Sequence, residues 1–347
     1  MLRYLTAVES HGKALLAILE GLPSGLKVAK EKIDAELARR QSGYGRGQRM
    51  QIEKDRVDII SGLHKGITIG SPLSMLIENK DFSINNLPAI TNPRPGHADL
   101  AGVLKYGFDD CRSVLERASA RETAVRVAVG ALCKILLGEF DIAVSSKVLV
   151  IGGKTAKEAM CRIIDEARSK RDTLGGIFEL IISGVPAGLG SYVQPDKRLN
   201  ARLAQAIISI PGIKAIEFGL GFMSAGKFGS EVHDAIYFSK AKGYYRKTNN
   251  AGGIEGGISN GQDIIIRGYM KPIATLGKPL NSVNIKTKKP APGSIQRSDT
   301  CAVEAAAVVA EAMSALEIAN ALLEKFGGDS LSDIKPAFCA YLKRISR

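Results

Sequence analysis

The chain has 347 residues, 45% hydrophobic and 24% charged, so it can bury a sizeable core and is too apolar to be disordered. Lysine and arginine number 48 against 35 aspartates and glutamates, a formal charge of +13 that points to an anionic partner: nucleic acid, a membrane surface or small charged metabolites. Five cysteines (Cys111, Cys133, Cys161, Cys301, Cys339) lie far apart with no CxxC pair, which argues against a closed disulfide framework and fits a reducing cytosol.

In chain order, residues 14–26 read as an apolar segment ending in Gly21-Leu-Pro23-Ser-Gly25-Leu26, followed by a helical pattern over 27–40. The apolar run 14–19 is too short for a secretory signal, and no stretch of about 18 apolar residues predicts a membrane span. Residues 39–49 then gather Arg39, Arg40, Arg46 and Arg49 on or beside a turn containing Gly43, Gly45 and Gly47. Guanidinium forks donate paired hydrogen bonds to carboxylate and phosphate, and glycine lets backbone approach the ligand closely. An RNA-binding arm fits this cluster less well, because it occurs once and only Tyr44 could stack on a base.

His11 and His97 stand in glycine-containing loops, where an imidazole can transfer protons near neutral pH; His64 and His233 are the other two histidines. No His/Cys/Asp cluster has metal-ligand spacing. Residues 112–137 carry apolar residues at helical spacing and predict one continuous helix, in which Arg117 and Arg121 would lie one turn apart on the same side. Strands are predicted at 142–151, 177–182 and 263–270. Residues 178–189 repeat the earlier pattern, an apolar run ending in Gly184-Val-Pro186-Ala-Gly188-Leu189 with a helical segment at 196–208. That repetition predicts an internal duplication whose copies include about 14–40 and 178–208, within a single domain spanning 1–347.

The segment 221–227 nearly forms a P-loop, but Phe228 stands where a magnesium-binding hydroxyl is needed, so ATP hydrolysis is not inferred. The glycine-dense loop 249–261 can cradle phosphate or follow a flat cofactor, and an ordinary turn cluster explains it equally well. Asp299 falls at the start of an Ala-rich, mostly buried helix over 301–326, where it can cap the helix or act as a base. Strands and helices do not alternate strictly, which predicts an α+β fold of sheets packed on buried helices rather than a doubly wound parallel sheet.

Taken together and in order, the blocks TAVESHG (6–12), EGLPSGL (20–26), RRQSGYGRGQRM (39–50), RPGHADLAGVLKYGFDD (94–110), LERASARETAVRVAVG (115–130), FGSEVHDAI (228–236), NNAGGIEGGISNG (249–261) and RSDTCAV (297–303) resemble the chorismate synthase family over essentially the whole chain. Two positions depart from its usual pattern: Val8 stands where glycine is usual, and Glu304 where proline is usual.

The resemblance implies helices sandwiched between antiparallel sheets with an internal pseudo-twofold, and a cytoplasmic homotetramer engaging neither nucleic acid nor membrane. It implies elimination of phosphate from 5-enolpyruvylshikimate 3-phosphate to give chorismate, with reduced FMN and no net redox change, in the shikimate pathway to the aromatic amino acids. By matching positions, the substrate would be held by Arg40, Arg46, Arg49 and Arg121. The flavin would be held by Arg117, Ala118, Ser119, Pro211, Gly212, Gly256, Lys271, Pro272, Ile273, Ala274, Thr275 and Arg297, with Pro211 and Gly212 the poorest match. In this scheme His97 protonates the leaving phosphate, His11 sustains the protonation state of the reduced flavin, and Asp299 helps deprotonate flavin N5. Some members reduce the flavin themselves with NADPH and others rely on an outside reductant; no dinucleotide fingerprint is present here. The rivals are a basic RNA-binding protein and a flavin-free phosphate lyase on the same scaffold.

Overall fold

A computed structural model describes residues 1–47, 52–241 and 243–345. Two four-stranded antiparallel sheets enclose a layer of helices. The first sheet orders its strands Arg3–Ala7, Ala14–Glu20, Leu73–Glu78 and Asp58–Ser61, and the second Ala143–Ile151, Gly176–Ser183, Ile264–Met270 and Ile213–Phe218. In both, the sheet order is the first strand in sequence, the second, the last and then the third. Period-2 alternation fixes which face is buried: Leu15, Ala17 and Leu19 point into the core while Leu16 and Ile18 are exposed, and Phe178, Leu180 and Ile182 do the same for the second sheet.

The two Gly-x-Pro-x-Gly-Leu turns close identically. Thr68 Oγ1 donates to Pro23 O at 2.6 Å and accepts from Leu26 N at 2.9 Å; Ser259 Oγ donates to Pro186 O at 2.6 Å and accepts from Leu189 N at 2.8 Å. Gly25 and Gly188 take left-handed φ values of +89° and +99°, which an L side chain would resist. Each turn leads to a helix of the central layer, Lys30–Gln41 and Leu199–Ile208.

The middle of the layer is formed by Thr123–Gly138, which packs on the first sheet, and Val303–Phe326, which packs on the second. Val303–Phe326 is long and apolar enough to cross a membrane, but its apolar surface is covered by the protein itself. Its alanines let neighbouring backbones approach closely, and its one buried charge, Glu311, pins it laterally. Arg39 Nη2 donates to Glu311 Oε1 at 2.8 Å, and Lys134 and Ser146 also bind this carboxylate. Arg39 therefore serves the helix layer rather than the glycine-rich turn that follows it.

The single helix expected over 112–137 is broken. Helix Arg112–Arg117 ends, Ser119 turns extended (ψ 142°) and its Oγ accepts from Arg121 N at 3.2 Å, a 3-10 turn covers Ala120–Glu122, and Thr123–Gly138 starts anew. A serine competing for backbone donors explains the break, which periodicity alone cannot register. Arg117 and Arg121 consequently do not share a face: Arg117 is exposed and Arg121 is buried.

The two central helices cross at Gly130, where an added Cβ would lie 2.3 Å from Ala312 Cα and Cβ. Gly130→Ala is expected to destabilise the chain by about 1–3 kcal/mol through overpacking, read as a lower midpoint in urea. Gly138→Ala, whose Cβ meets nothing within 4 Å, is the control and should be neutral or stabilising.

Candidate active site

A cavity of about 810 Å³ opens beside the N-terminal end of Val303–Phe326. Its floor is small and apolar, with Ala302, Ala305, Ala306 and Val309 from that helix, and its walls come from loops far apart in the chain. The break at 118–122 brings Ala118, Ser119 and Arg121 to one wall.

Arg40 and Arg121 form the buried part of the cationic wall, 3% and 4% exposed. Asp55 serves both: its carboxylate accepts from Arg121 Nη1 at 2.7 and 2.8 Å and from Arg40 Nη1 at 3.3 Å. Arg121 Nε donates to Asn79 Oδ1 at 2.9 Å, and Arg40 Nε to Thr123 Oγ1 at 2.9 Å. Burial, only partly offset by Asp55, and the nearby Arg121 and Arg46 push the Arg40 guanidinium down to about 10, which still leaves it charged at neutral pH. Arg46 Nη1 lies 2.9 Å from Asp299 Oδ2, and Asp299 Oδ1 accepts from Gly47 N at 2.6 Å. Among the described residues, the buried Arg46 Nε and Arg121 Nη2 have no hydrogen-bond partner. Such a donor costs about 1–3 kcal/mol unless a ligand takes it up.

Asp299 is not a helix cap. Val303–Phe326 begins after Ala302, which makes no side-chain cap bond, and Asp299 instead holds the Arg46–Gly47 turn across the cavity.

Each cavity histidine is backed by a carboxylate. His11 Nδ1 lies 2.9 and 3.0 Å from the Glu116 oxygens, and His97 Nδ1 lies 2.5 Å from Asp99 Oδ1. Asp99 also accepts from Arg94 Nε at 2.8 Å and Nη2 at 3.0 Å, while Arg94 Nη1 donates to Thr275 Oγ1 at 2.7 Å. Lys271 Nζ donates to Gly96 O, so the 94–99 loop and the 271–275 segment form one unit. Burial raises the Asp99 carboxyl, but the His97 and Arg94 hydrogen bonds outweigh it and hold Asp99 well below the usual carboxylate range.

Of the residues expected from sequence, His11, His97, Asp299, Arg40, Arg46, Arg121, Ala118, Ser119, Pro211, Gly212, Lys271 to Thr275 and Arg297 line this cavity. Arg117 and Gly256 do not: Arg117 Nη2 donates to Thr6 Oγ1 at 3.2 Å on the surface, and Gly256 lies exposed in a separate loop. Arg49 lies outside the described residues. Sequence reasoning missed Asp55, Asn79, Arg94, Asp99 and Glu116. Arg94 and Asp99 were within reach of it, since they bracket His97 in one short motif; Asp55, Asn79 and Glu116 act across the chain and carried no local signal.

Two antiparallel sheets clamped on helices, with an arginine-lined cleft holding two carboxylate-backed histidines, give the arrangement of a small-molecule enzyme site. The family model for chorismate synthase matches residues 2–323. The chain belongs to the chorismate synthase family. It is 58% identical over 344 residues to the chorismate synthase of Thermoanaerobacter pseudethanolicus, covering 98% of each chain, and 56% identical over 347 residues to that of Caldanaerobacter subterraneus subsp. tengcongensis, covering 99% of each. A crystal structure of chorismate synthase superposes with a TM-score of 0.82 at 42% identity, covering 99% of this chain and 98% of that one. The expected family and α+β sandwich are both met.

Asp99→Asn is expected to destabilise the chain by about 3–5 kcal/mol at pH 7, because Arg94 loses its buried counter-ion. A carboxyl held low when folded contributes stability above its unfolded pKa and loses it as the pH falls through the lower folded value. Urea melts of wild type and variant should therefore differ most at neutral pH and converge as the pH drops below about 4, the usual aspartate range.

Proposed function

We propose that this chain eliminates phosphate from 5-enolpyruvylshikimate 3-phosphate to give chorismate, with reduced FMN bound in the cavity. The observation that carries this reading is the convergence of Arg40, Arg46, Arg121, His11 and His97, from distant parts of the chain, on one cavity of about 810 Å³. That volume lies within the range for small-molecule and cofactor sites, roughly 300–1,000 Å³.

The residues present fit a flavin. Ala118, Ala274, Pro211, Gly212 and the helix alanines leave flat, apolar space for a planar ring, and Lys271 and Arg297 supply charge for its phosphate. Reduced FMN, when bound, supplies electron density that is lent to the ring as the C–O bond to phosphate breaks and recovered as the C–H bond breaks. The protein supplies placement, charge and proton control. Arg40, Arg46 and Arg121 orient the trianion and stabilise charge on the departing phosphate, an effect of roughly 3–4 kcal/mol per well-placed donor. Arg49 is kept as a fourth substrate ligand by resemblance.

The neighbours of the two histidines favour exchanging the roles given by resemblance. His97 belongs to the unit tied to 271–275, the proposed flavin segment, through Arg94 and Thr275. His11 adjoins the substrate arginines: Ser119 Oγ donates to Ser10 Oγ at 3.2 Å and accepts from Arg121 N. His11 is thus assigned to protonate the leaving phosphate and His97 to control protonation of the reduced flavin. Asp299 is assigned to accept the proton at flavin N5 while holding the Arg46 turn.

The proposal extends to one domain that arose by internal duplication, supported by the matched strand orders and the paired Thr68 and Ser259 clamps. It extends also to a cytoplasmic homotetramer in which Arg117 and Gly256 contact flavin, although neither lines the cavity of its own chain.

Oxidised FMN mixed with the substrate should give a flavin absorbance change, and anaerobic dithionite should then release phosphate and form chorismate. Phosphate release without FMN would support the flavin-free lyase, and salt-sensitive RNA binding with no flavin response would support the RNA-binding rival. His11→Ala and His97→Ala should each lower kcat by about 100-fold or more. Only His97→Ala should shift the pH dependence of the bound reduced flavin's absorbance; if His11→Ala alone does so, the exchanged assignment is wrong.

A further inference from the structure

We propose that Glu116 is a positioning residue that fixes His11 with a proton on Nδ1, so that Nε2 is the nitrogen that exchanges a proton with substrate. The proposal rests on reading the cavity as the site of phosphate elimination, and it adds a residue to that site whose action runs wholly through His11.

Glu116 is 1% exposed and sits on the helix Arg112–Arg117, 105 residues away from His11 in sequence. Both of its oxygens are used on the histidine. Oε2 accepts from His11 N at 2.7 Å, and Nδ1 lies 2.9 Å from Oε1 and 3.0 Å from Oε2. The Glu116 backbone is tied to the same loop, because its carbonyl accepts from Ser10 N at 2.9 Å. Arg112 Nη1 lies 3.5 Å from Oε1. A helix thus holds the imidazole-bearing loop at three points.

A carboxylate has no proton to give, so the nitrogen facing it must carry one. Burial raises the Glu116 carboxyl, but its bonds from the His11 side chain and backbone outweigh that and hold it below the usual range, so it stays ionised. The remaining nitrogen, Nε2, lies on the side of Asp81, whose Oδ2 is 4.0 Å away, and Asp81 lines the cavity with His11. When Nε2 is also protonated, Glu116 and Asp81 face the imidazolium with opposite charge. When Nε2 has given its proton up, the Nδ1 proton remains bonded to Glu116 and the ring keeps its orientation. Ring rotation is opposed in both states, as proton delivery to one departing oxygen requires.

Glutamine at this position has one acceptor oxygen for two His11 donors. Glu116→Gln must either give up the backbone bond or turn its amide N–H toward Nδ1, which moves the neutral ring's proton to Nε2. Aspartate keeps both oxygens but reaches one methylene less far.

The test uses the full chain with 15N-labelled histidine, the His11 signals being identified by their loss in His11→Asn. In wild type, neutral His11 should show a protonated Nδ1 and an unprotonated Nε2, and in Glu116→Gln this pattern should reverse. With reduced FMN and substrate, kcat of Glu116→Gln should fall by about 100-fold or more while KM and FMN affinity stay within about threefold, and Glu116→Asp should recover at least about tenfold of the loss. A wild-type ring protonated at Nε2 overturns the proposal, as does a folded Glu116→Gln chain with unchanged ring signals and turnover. If the variant does not fold, the wild-type spectrum alone decides. A wild type that forms no chorismate, yet shows Nδ1 protonated, would remove the proposed reaction and leave the Glu116 assignment standing.

Discussion

Two guanidinium groups are buried side by side against two buried carboxylates, Asp55 shared between them and Glu53 beside Arg121, and the rest of the cavity is arranged around that cluster. Isolated charges are expensive to remove from water, so Arg40 and Arg121 can be buried only because Asp55 binds both, Glu53 Oε2 lies 3.8 Å from Arg121 Nη2, and Asn79, Thr123 and Ala120 O take further donors. Asp55 and Glu53 together match the two positive charges. Arg46 is offset by Asp299, but its Nε and the Arg121 Nη2 have no hydrogen-bond partner among the described residues. A fixed wall of guanidinium groups with unused donors can take up an anionic ligand with little reorganisation.

That arrangement depends on where the chain breaks its regular structure. Had residues 112–137 continued as one helix, Arg121 would have pointed with Arg117 toward solvent. The extended Ser119 and the short 3-10 turn rotate Arg121 inward, and they set Ala118 and Ser119 on the same wall. The apolar pattern on both sides of the break is helical, which is why the sequence reads as continuous there. What decides the matter is a local contest between Ser119 Oγ and the helix for the Arg121 N–H, a difference of one hydrogen bond that hydrophobic periodicity cannot register.

The sheets and buried helices were legible because burial writes a period into the chain: strands at 143–151, 176–183 and 264–270 and the long Ala-rich helix lie within a few residues of where the pattern put them. Glycine-rich loops with Arg40, Arg46, His11 and His97 were legible as candidates because their residue types are costly or unusual in such settings. Their partners were not. Glu116 is 105 residues from His11, and Asp55 is 66 from Arg121; each looks like an ordinary surface carboxylate until the fold closes. Asp299 shows the opposite error: its place before a helix suggested a cap, whereas its role is set by the Arg46–Gly47 turn arriving from 252 residues away.

Leaving the start of Val303–Phe326 without a side-chain cap has a physical consequence for the cleft. The first-turn N–H groups of a helix have no intrahelical acceptor, and a helix of 24 residues carries partial positive charge at that end. Ala302, Ala305 and Ala306 keep that end narrow where it borders the cavity, and Asp299 is engaged elsewhere. The same helix is held from sliding by Glu311, which binds Arg39, Lys134 and Ser146 from three different elements. Because Arg39 is adjacent to Arg40, the bond that pins the long helix also fixes the helix that delivers a buried guanidinium to the cavity. Lateral slip of Val303–Phe326 would therefore displace floor and cationic wall together, which ties the geometry of the cleft to the packing of the central layer.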